Sequence, residues 1–217
     1  GEKKWRDERE WPLERAVSTA FYLRQASAGR EHGLLATAVD QQQSISFVYD
    51  PRNPAPTRGG AMLGDRAGIH QQNDIEQRED VLVFTGEPLS ADLEVTGPIE
   101  AELFVATTAP NTDFTVKLVD VHPDGRSFTA TDGILPRDFP IEARAGGATT
   151  IRVELNPASM LFRKGHRLRV HVSSSNYPRF DRNPNTGRDI ARETAPVSAT
   201  QTLFLGAATP SRIILPV

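Results

Sequence analysis

Three consecutive serines, a scatter of histidines and a D-x-N-x-N run are the residues of this sequence whose types could do chemistry. Ser173, Ser174 and Ser175 close an alternating stretch, and a serine that meets a histidine and an aspartate in space can act as a nucleophile. Enzymes of the α/β-hydrolase type present that serine in G-x-S-x-G on a strained strand-to-helix turn. This sequence has no such motif: Gly125-Arg126-Ser127-Phe128-Thr129 lacks the second glycine and lies in a hairpin pattern. The three hydroxyls are therefore expected to satisfy backbone groups where a strand ends, and no catalytic residue is assigned. His32, His70, His122, His166 and His171 show neither H-x-x-x-H nor H-E-x-x-H spacing. His166 and His171, on different halves of one strand, are expected at the surface, and neither a metal site nor a cofactor is expected. Asp181, Asn183 and Asn185 begin like a calcium loop, but Pro184 interrupts it and no glutamate follows at the required position. Asp113 precedes an apolar strand and is expected to accept hydrogen bonds from turn amides. As a catalytic acid it would need a partner that the sequence does not identify.

The elements that would position these residues read as strands. In HRLRVHV, Leu168, Val170 and Val172 share one face while Arg167, Arg169 and His171 share the other, the period of a strand with one buried and one charged face. Burial of the three aliphatics contributes roughly 1.5–3 kcal/mol each and fixes the register, since a one-residue slip would bury the charged set. Similar short runs recur: STAFYLRQ, HGLLATAV, SISFVYDP, DVLVFTGEPL, PIEAELFVATTA, DFTVKLVDV, RSFTATDGIL, TTIRVELNP, TQTLFLG and SRIILPV, with Gly, Pro or Asp-Gly turn signals between them. No segment keeps a helical period. The fold expected is all-β: a jelly-roll β-sandwich of roughly ten strands, of the galactose-binding-domain-like kind. Residues 17–217 form this domain and 1–16 an N-terminal arm or linker that holds both tryptophans, Trp5 and Trp11. Residues 51–79 carry prolines, paired glycines and little periodicity, a long connection of the sort that is functional or disordered. Within it Met62 and Leu63 form a glycine-flanked apolar tip.

Composition narrows the function classes. The chain has 217 residues, 38% of them hydrophobic, with a formal net charge of −3 and no cysteine. No apolar run approaches the roughly 20 residues of a membrane helix, and the charge gives no case for nucleic acid or an anionic membrane as partner. Without cysteine there is no disulfide, thiolate metal site or Cys nucleophile. That composition fits a reducing compartment, so a cytoplasmic location is expected, and no apolar leader follows Lys3 and Lys4.

Several motifs in consistent order carry a resemblance. GPIEAELFVATTAPNTDFTVKLVDVHPDGRSFTATDGIL, LFRKGHRLRVHVSSSNYPRFDRNPNTG and the terminal PSRIILPV, with DPRNPAPTRGG and REDVLVFTGEPL upstream, resemble the C-terminal domain of the Xaa-Pro dipeptidyl-peptidase class of serine hydrolases. That class includes cocaine esterase, α-amino acid ester hydrolases and glutaryl acylases. The resemblance implies a non-catalytic jelly roll that caps an upstream α/β-hydrolase domain on the same polypeptide, acting on a small acyl ester, amide or Xaa-Pro peptide, with room for a homo-oligomer. It also implies that the loop after the paired glycines, here Gly59, Gly60, Ala61, Met62 and Leu63, lines the substrate pocket. Two features depart from the family pattern. Asp132-Gly133-Ile134-Leu135 runs into Pro136 rather than basic and aromatic residues, and the loop after Gly60 differs from that of cocaine esterase in length and chemistry. The other reading left open is a free-standing carbohydrate- or protein-binding module, with Tyr177 and Phe180 as its aromatic platform.

Overall fold

A computed structural model describes residues 3–25, 33–39 and 42–217. The strand patterns become β1 (Ser18–Gln25), β2 (Gly33–Ala36), β3 (Gln43–Tyr49), β4 (Val81–Gly86), β5 (Leu93–Thr107), β6 (Asn111–Val121), β7 (Ser127–Asp138), β8 (Thr149–Phe162), β9 (Arg167–Ser173), β10 (Ala199–Leu205) and β11 (Arg212–Pro216). They form an 11-stranded sheet in the order β3-β10-β5-β11-β1-β2-β4-β9-β6-β7, with β8 on the other edge of β5. Only β2 and β4 run parallel among these pairs. The path folds over on itself, so that β8, β5, β10 and β11 face β4, β9 and β6 across one core. Phe84, Phe114, Leu118 and Val170 from one layer meet Ile99, Leu103, Ile151, Phe162 and Leu203 from the other. The result is the expected all-β sandwich, with 11 strands where roughly ten were expected.

Two long strands run further than their periodicity suggested, and for the same reason. The register of β5 against β8 shifts between Gly97 and Ile99, and Pro98 sits at this bulge, where no ladder N–H is required. Asn156, on β8 opposite the bulge, is released from the ladder and clasps β7 instead. Its carbonyl accepts from Thr131 Oγ1 at 2.6 Å and its Nδ2 donates to the Asp132 carbonyl at 3.0 Å. β7 continues through Pro136 because it is the end strand of the path, paired to β6 alone. A single helical turn, α1 (Ile141–Arg144), buries Ala143 at 0% exposure; four residues are too few to leave a period in the sequence.

The middle strands correct one expectation. β4, β6 and β9 are buried on both faces, and the charged side of β9 does not meet solvent. His171 is 3% exposed and Arg169 9%. Residues 51–79 lie over this outer face as a third layer, with Ala55 and Ile75 packed on Val81 and Val83. A 3-10 turn, Ile75–Gln77, starts at Asp74, whose side chain accepts from the Ile75 N–H, and it holds Glu76 over β9.

Where β7 crosses β8 the two backbones almost touch. A Cβ on Gly133 would lie 2.0 Å from the Glu154 carbonyl oxygen and 2.9 Å from Leu155 Cα, both backbone atoms that cannot turn aside. Gly133→Ala is expected to cost about 3 kcal/mol, read as a thermal midpoint roughly 6–12 °C lower; an unchanged midpoint would show that the strands have room to part.

Candidate functional site

The paired glycines open a small hairpin whose geometry explains both of them. Gly60 N–H donates to the Gly68 carbonyl at 2.8 Å and Gly68 N–H returns to Gly60 at 2.9 Å; Met62 N–H closes on the Gly60 carbonyl at 2.9 Å. Gly59 and Gly60 have φ of +69° and +91°, the left-handed region that side chains disfavour. A Cβ would in addition meet the Gly68 carbonyl at 2.4 Å from Gly59, and Arg179 Nη1 at 3.0 Å from Gly60. Beneath Gly60 the Asp132 carboxylate is buried, paired with Arg179 and hydrogen-bonded by Asn176 Nδ2 at 2.9 Å. The two glycines thus form the footing. Ala61 and Leu63 point outward, Leu63 with 97% of its surface exposed, and Met62 is half-buried between them.

The footing is locked to the cover by a polar keystone. Gln72 is fully buried; its Nε2 donates to the Arg58 and His70 carbonyls at 2.9 Å each, and its Oε1 accepts from Lys117 Nζ at 3.1 Å. Burial pushes the Lys117 ammonium down to about 8, partly offset by Asp132. Glu76 receives Arg169 Nη1 at 2.7 Å and His171 Nε2 at 3.0 Å, while Arg169 Nε donates to Thr85 Oγ1 at 2.7 Å. Burial alone would raise Glu76, but the His171 hydrogen bond and the Arg169 charge outweigh it and hold the carboxyl at about 2. Burial lowers His171, with the Glu76 hydrogen bond and charge opposing, and its Nδ1 has no partner among the described residues.

The remaining sequence candidates fall into structural roles. Ser173 Oγ shares a 2.6 Å hydrogen bond with Thr115 Oγ1, and Ser175 Oγ accepts the Ala55 N–H at 2.8 Å, but Ser174 Oγ is buried without a partner and does not satisfy a backbone group as expected; among the described residues no histidine is hydrogen-bonded to the three. Asp113 is buried and accepts from the Asn183 side-chain amide at 2.7 Å rather than from turn amides. Burial dominates and raises its carboxyl to about 6. Asn183 and Asn185 are buried and committed internally: Asn185 Oδ1 accepts from Thr112 Oγ1 at 2.7 Å and its Nδ2 donates to the Val197 carbonyl at 2.9 Å. Asp181 is exposed, so D-x-N-x-N does not converge on a cation. Phe180 is half-buried beneath the Arg179 guanidinium, 4.8 Å from its ring, and leaves Tyr177 without a second platform ring. His70 binds the Ala67 carbonyl at 3.2 Å within the hairpin, and His32 lies outside the described residues. His166 is half-buried rather than at the surface and, with His122, faces Asp120.

The N-terminal arm shows a division of labour. Leu13 is buried, and Arg6 and Arg15 bracket Glu8 and Glu94, with Arg6 Nη1 on Glu94 Oε2 at 2.9 Å and Arg15 Nη1 on Glu8 Oε2 at 2.9 Å. The Arg6 hydrogen bond is the main cause that holds Glu94 at about 2. Trp5 remains 98% exposed and Trp11 56%. An open groove beside the arm is lined by Lys3, Lys4 and Arg6, by Ile69 of the cover and by Met160 of β8.

Large apolar side chains remain exposed on the cover, at Leu63 and Ile69, and on the arm, at Trp5 and Trp11. The profile of the X-Pro dipeptidyl-peptidase C-terminal non-catalytic domain matches residues 1–214, and the chain belongs to that family. It is 40% identical to cocaine esterase of Rhodococcus sp. over 232 aligned residues, which cover all of this chain and 40% of that protein. Among solved structures, an aminopeptidase from a marine sediment archaeon (Thaumarchaeota) superposes with a TM-score of 0.83 at 28% identity, over 98% of this chain and 38% of the other. An alpha-amino acid ester hydrolase superposes at 0.77 and 26% identity, over 92% of this chain and 36% of the other. The chain thus spans about two-fifths of the cocaine esterase it matches. Among the described residues no helix is long and apolar enough to cross a membrane.

Two buried carboxyls give opposite outcomes. Asp113, raised in the folded state, favours folding below the unfolded aspartate value and loses that contribution as pH rises through about 6. Asp113→Asn is therefore expected to gain about 2 kcal/mol on the wild type between pH 4.5 and 7.5 in urea melts; parallel pH profiles would contradict the burial. Glu76→Gln leaves Arg169 and His171 without their anion and is expected to lose about 3 kcal/mol at pH 7, with a loss below 1 kcal/mol showing that the cover does not depend on it.

Proposed function

We propose that this domain caps and shapes the active site of an α/β-hydrolase domain carried upstream on the same polypeptide, with Ala61, Met62 and Leu63 as the wall it contributes and Gly59 and Gly60 as that wall's footing. The observation that carries the reading is Leu63: a fully presented leucine on a hairpin pinned from below by a buried ion pair. In a family of non-catalytic hydrolase domains, the surface available to cover such a side chain is the catalytic domain. A half-buried methionine beside it suits a pocket wall that adapts to different acyl groups. Residues 1–16 are the arm or linker that leads from that domain into the sandwich of 17–217, and Trp5 and Trp11 dock on it. The names of the similar proteins, an esterase, an amino acid ester hydrolase and an aminopeptidase, support a small acyl ester, amide or peptide as substrate class.

The test uses the full-length protein that contains this domain. Met62→Ala with Leu63→Ala is expected to shift the ratio of kcat/KM between a bulky and a small acyl ester by roughly tenfold, the scale of a few methylenes in an apolar pocket. Labelling of the nucleophile by a fluorophosphonate probe should persist. An unchanged ratio across a panel of acyl groups would remove the tip from the pocket.

A further inference from the structure

Asp120, His122 and His166 come together at one end of the sandwich, where the β6–β7 turn meets the β8–β9 turn. Asp120 is buried, with its side chain 4% exposed, and its two carboxylate oxygens face two imidazoles: Oδ1 lies 2.8 Å from His166 Nδ1 and Oδ2 lies 3.6 Å from His122 Nε2. The rings lean on each other with centroids 4.4 Å apart, and His122 also packs on Phe128 at 4.8 Å. Both backbones are fixed: His122 N–H donates to the Arg126 carbonyl at 2.8 Å, His166 N–H to the Arg163 carbonyl at 3.0 Å, and the His166 carbonyl accepts from Leu89 N–H at 2.8 Å.

From this geometry we infer that Asp120, His122 and His166 form a binding site for a divalent transition metal ion of the zinc class, which staples the two turns together. Two imidazole nitrogens and one carboxylate are a three-ligand set that suits zinc or cobalt, with water as a fourth ligand, and that magnesium and calcium disfavour. One candidate ligand atom from each residue lies within 4.8 Å of the other two; tetrahedral bonds of about 2.0–2.1 Å need edges of about 3.3 Å. The adjustment falls to His122, whose side chain is 31% exposed on a hairpin turn, whereas Asp120 and His166 already touch. Metal at His166 Nδ1 requires the proton now shared with Asp120 to move to Nε2 or to leave. Asp124 and Asp92 lie within electrostatic reach of His122 and His166, each paired with its own arginine, Arg126 and Arg163.

Zinc chloride is titrated into untagged protein by calorimetry. One site of micromolar affinity is expected, weakened tenfold or more in His122→Ala and in His166→Ala, with calcium and magnesium giving no heat. Saturating zinc should raise the melting midpoint by roughly 5 °C or more. If a variant fails to fold, the visible bands of cobalt bound to the wild type decide: intense tetrahedral absorption supports the site. No binding at millimolar zinc, equal binding by both histidine variants, or an octahedral cobalt spectrum would each overturn it.

Discussion

A carboxylate held between a guanidinium and an imidazole, out of reach of water, sets the terms for this domain. The outer face of β9 carries Arg169 and His171, and β6 beside it carries Lys117, so the middle of the sandwich cannot be left bare on that side without water nor covered by an apolar layer. Only a cover that brings its own acceptors fits, and residues 51–79 bring Glu76 and Gln72. Lifting that cover would give up the Glu76 and Gln72 hydrogen bonds and expose Val81 and Val83 to water. What looks like a loop by composition is a layer of the fold by energetics.

The same constraint fixes the exposed tip. The hairpin at Gly60–Gly68 stands on the Asp132–Arg179 pair and on Gln72, so its conformation belongs to the sandwich and does not await a partner. Pre-organised apolar groups lose less conformational entropy on binding, which suits the capping role proposed for the tip. The arm follows the same plan: its charged residues and Leu13 fasten it to the body, and its tryptophans remain free to meet another surface.

Much of this was legible in the sequence. Short apolar or alternating runs between turn signals marked the strands, since Leu168, Val170 and Val172 or Ile151, Val153 and Leu155 mark a buried face without help from tertiary structure. The ordered motifs identified the family, but the hairpin at the paired glycines was read only as part of a long irregular connection. The charged face of β9 was misjudged because its partner, Glu76, lies 93 residues away from Arg169 in a segment with no period of its own. The strand extensions at Leu93 and Phe162 hid behind Pro98 and Pro157, which read as terminators until the bulge that admits them is seen. The convergence of Asp120, His122 and His166 was not read for a related reason: D-x-H is too common to signal anything, and the third member lies on a different turn. Local pattern reports which face is buried by neighbours in sequence; it is silent about faces buried by remote ones.

The place of β11 in the sheet carries a consequence for how the protein is made. This strand lies between β5 and β1, the first strand of the domain, with Val17 and Val217 exchanging backbone hydrogen bonds at 2.6 and 3.0 Å. During synthesis β1 therefore leaves the ribosome with one edge unpaired and keeps it so until residues 212–216 emerge. Closure of the sheet between β1 and β5 thus waits for the last strand, and an unpaired strand edge is the kind of surface that can pair with another chain.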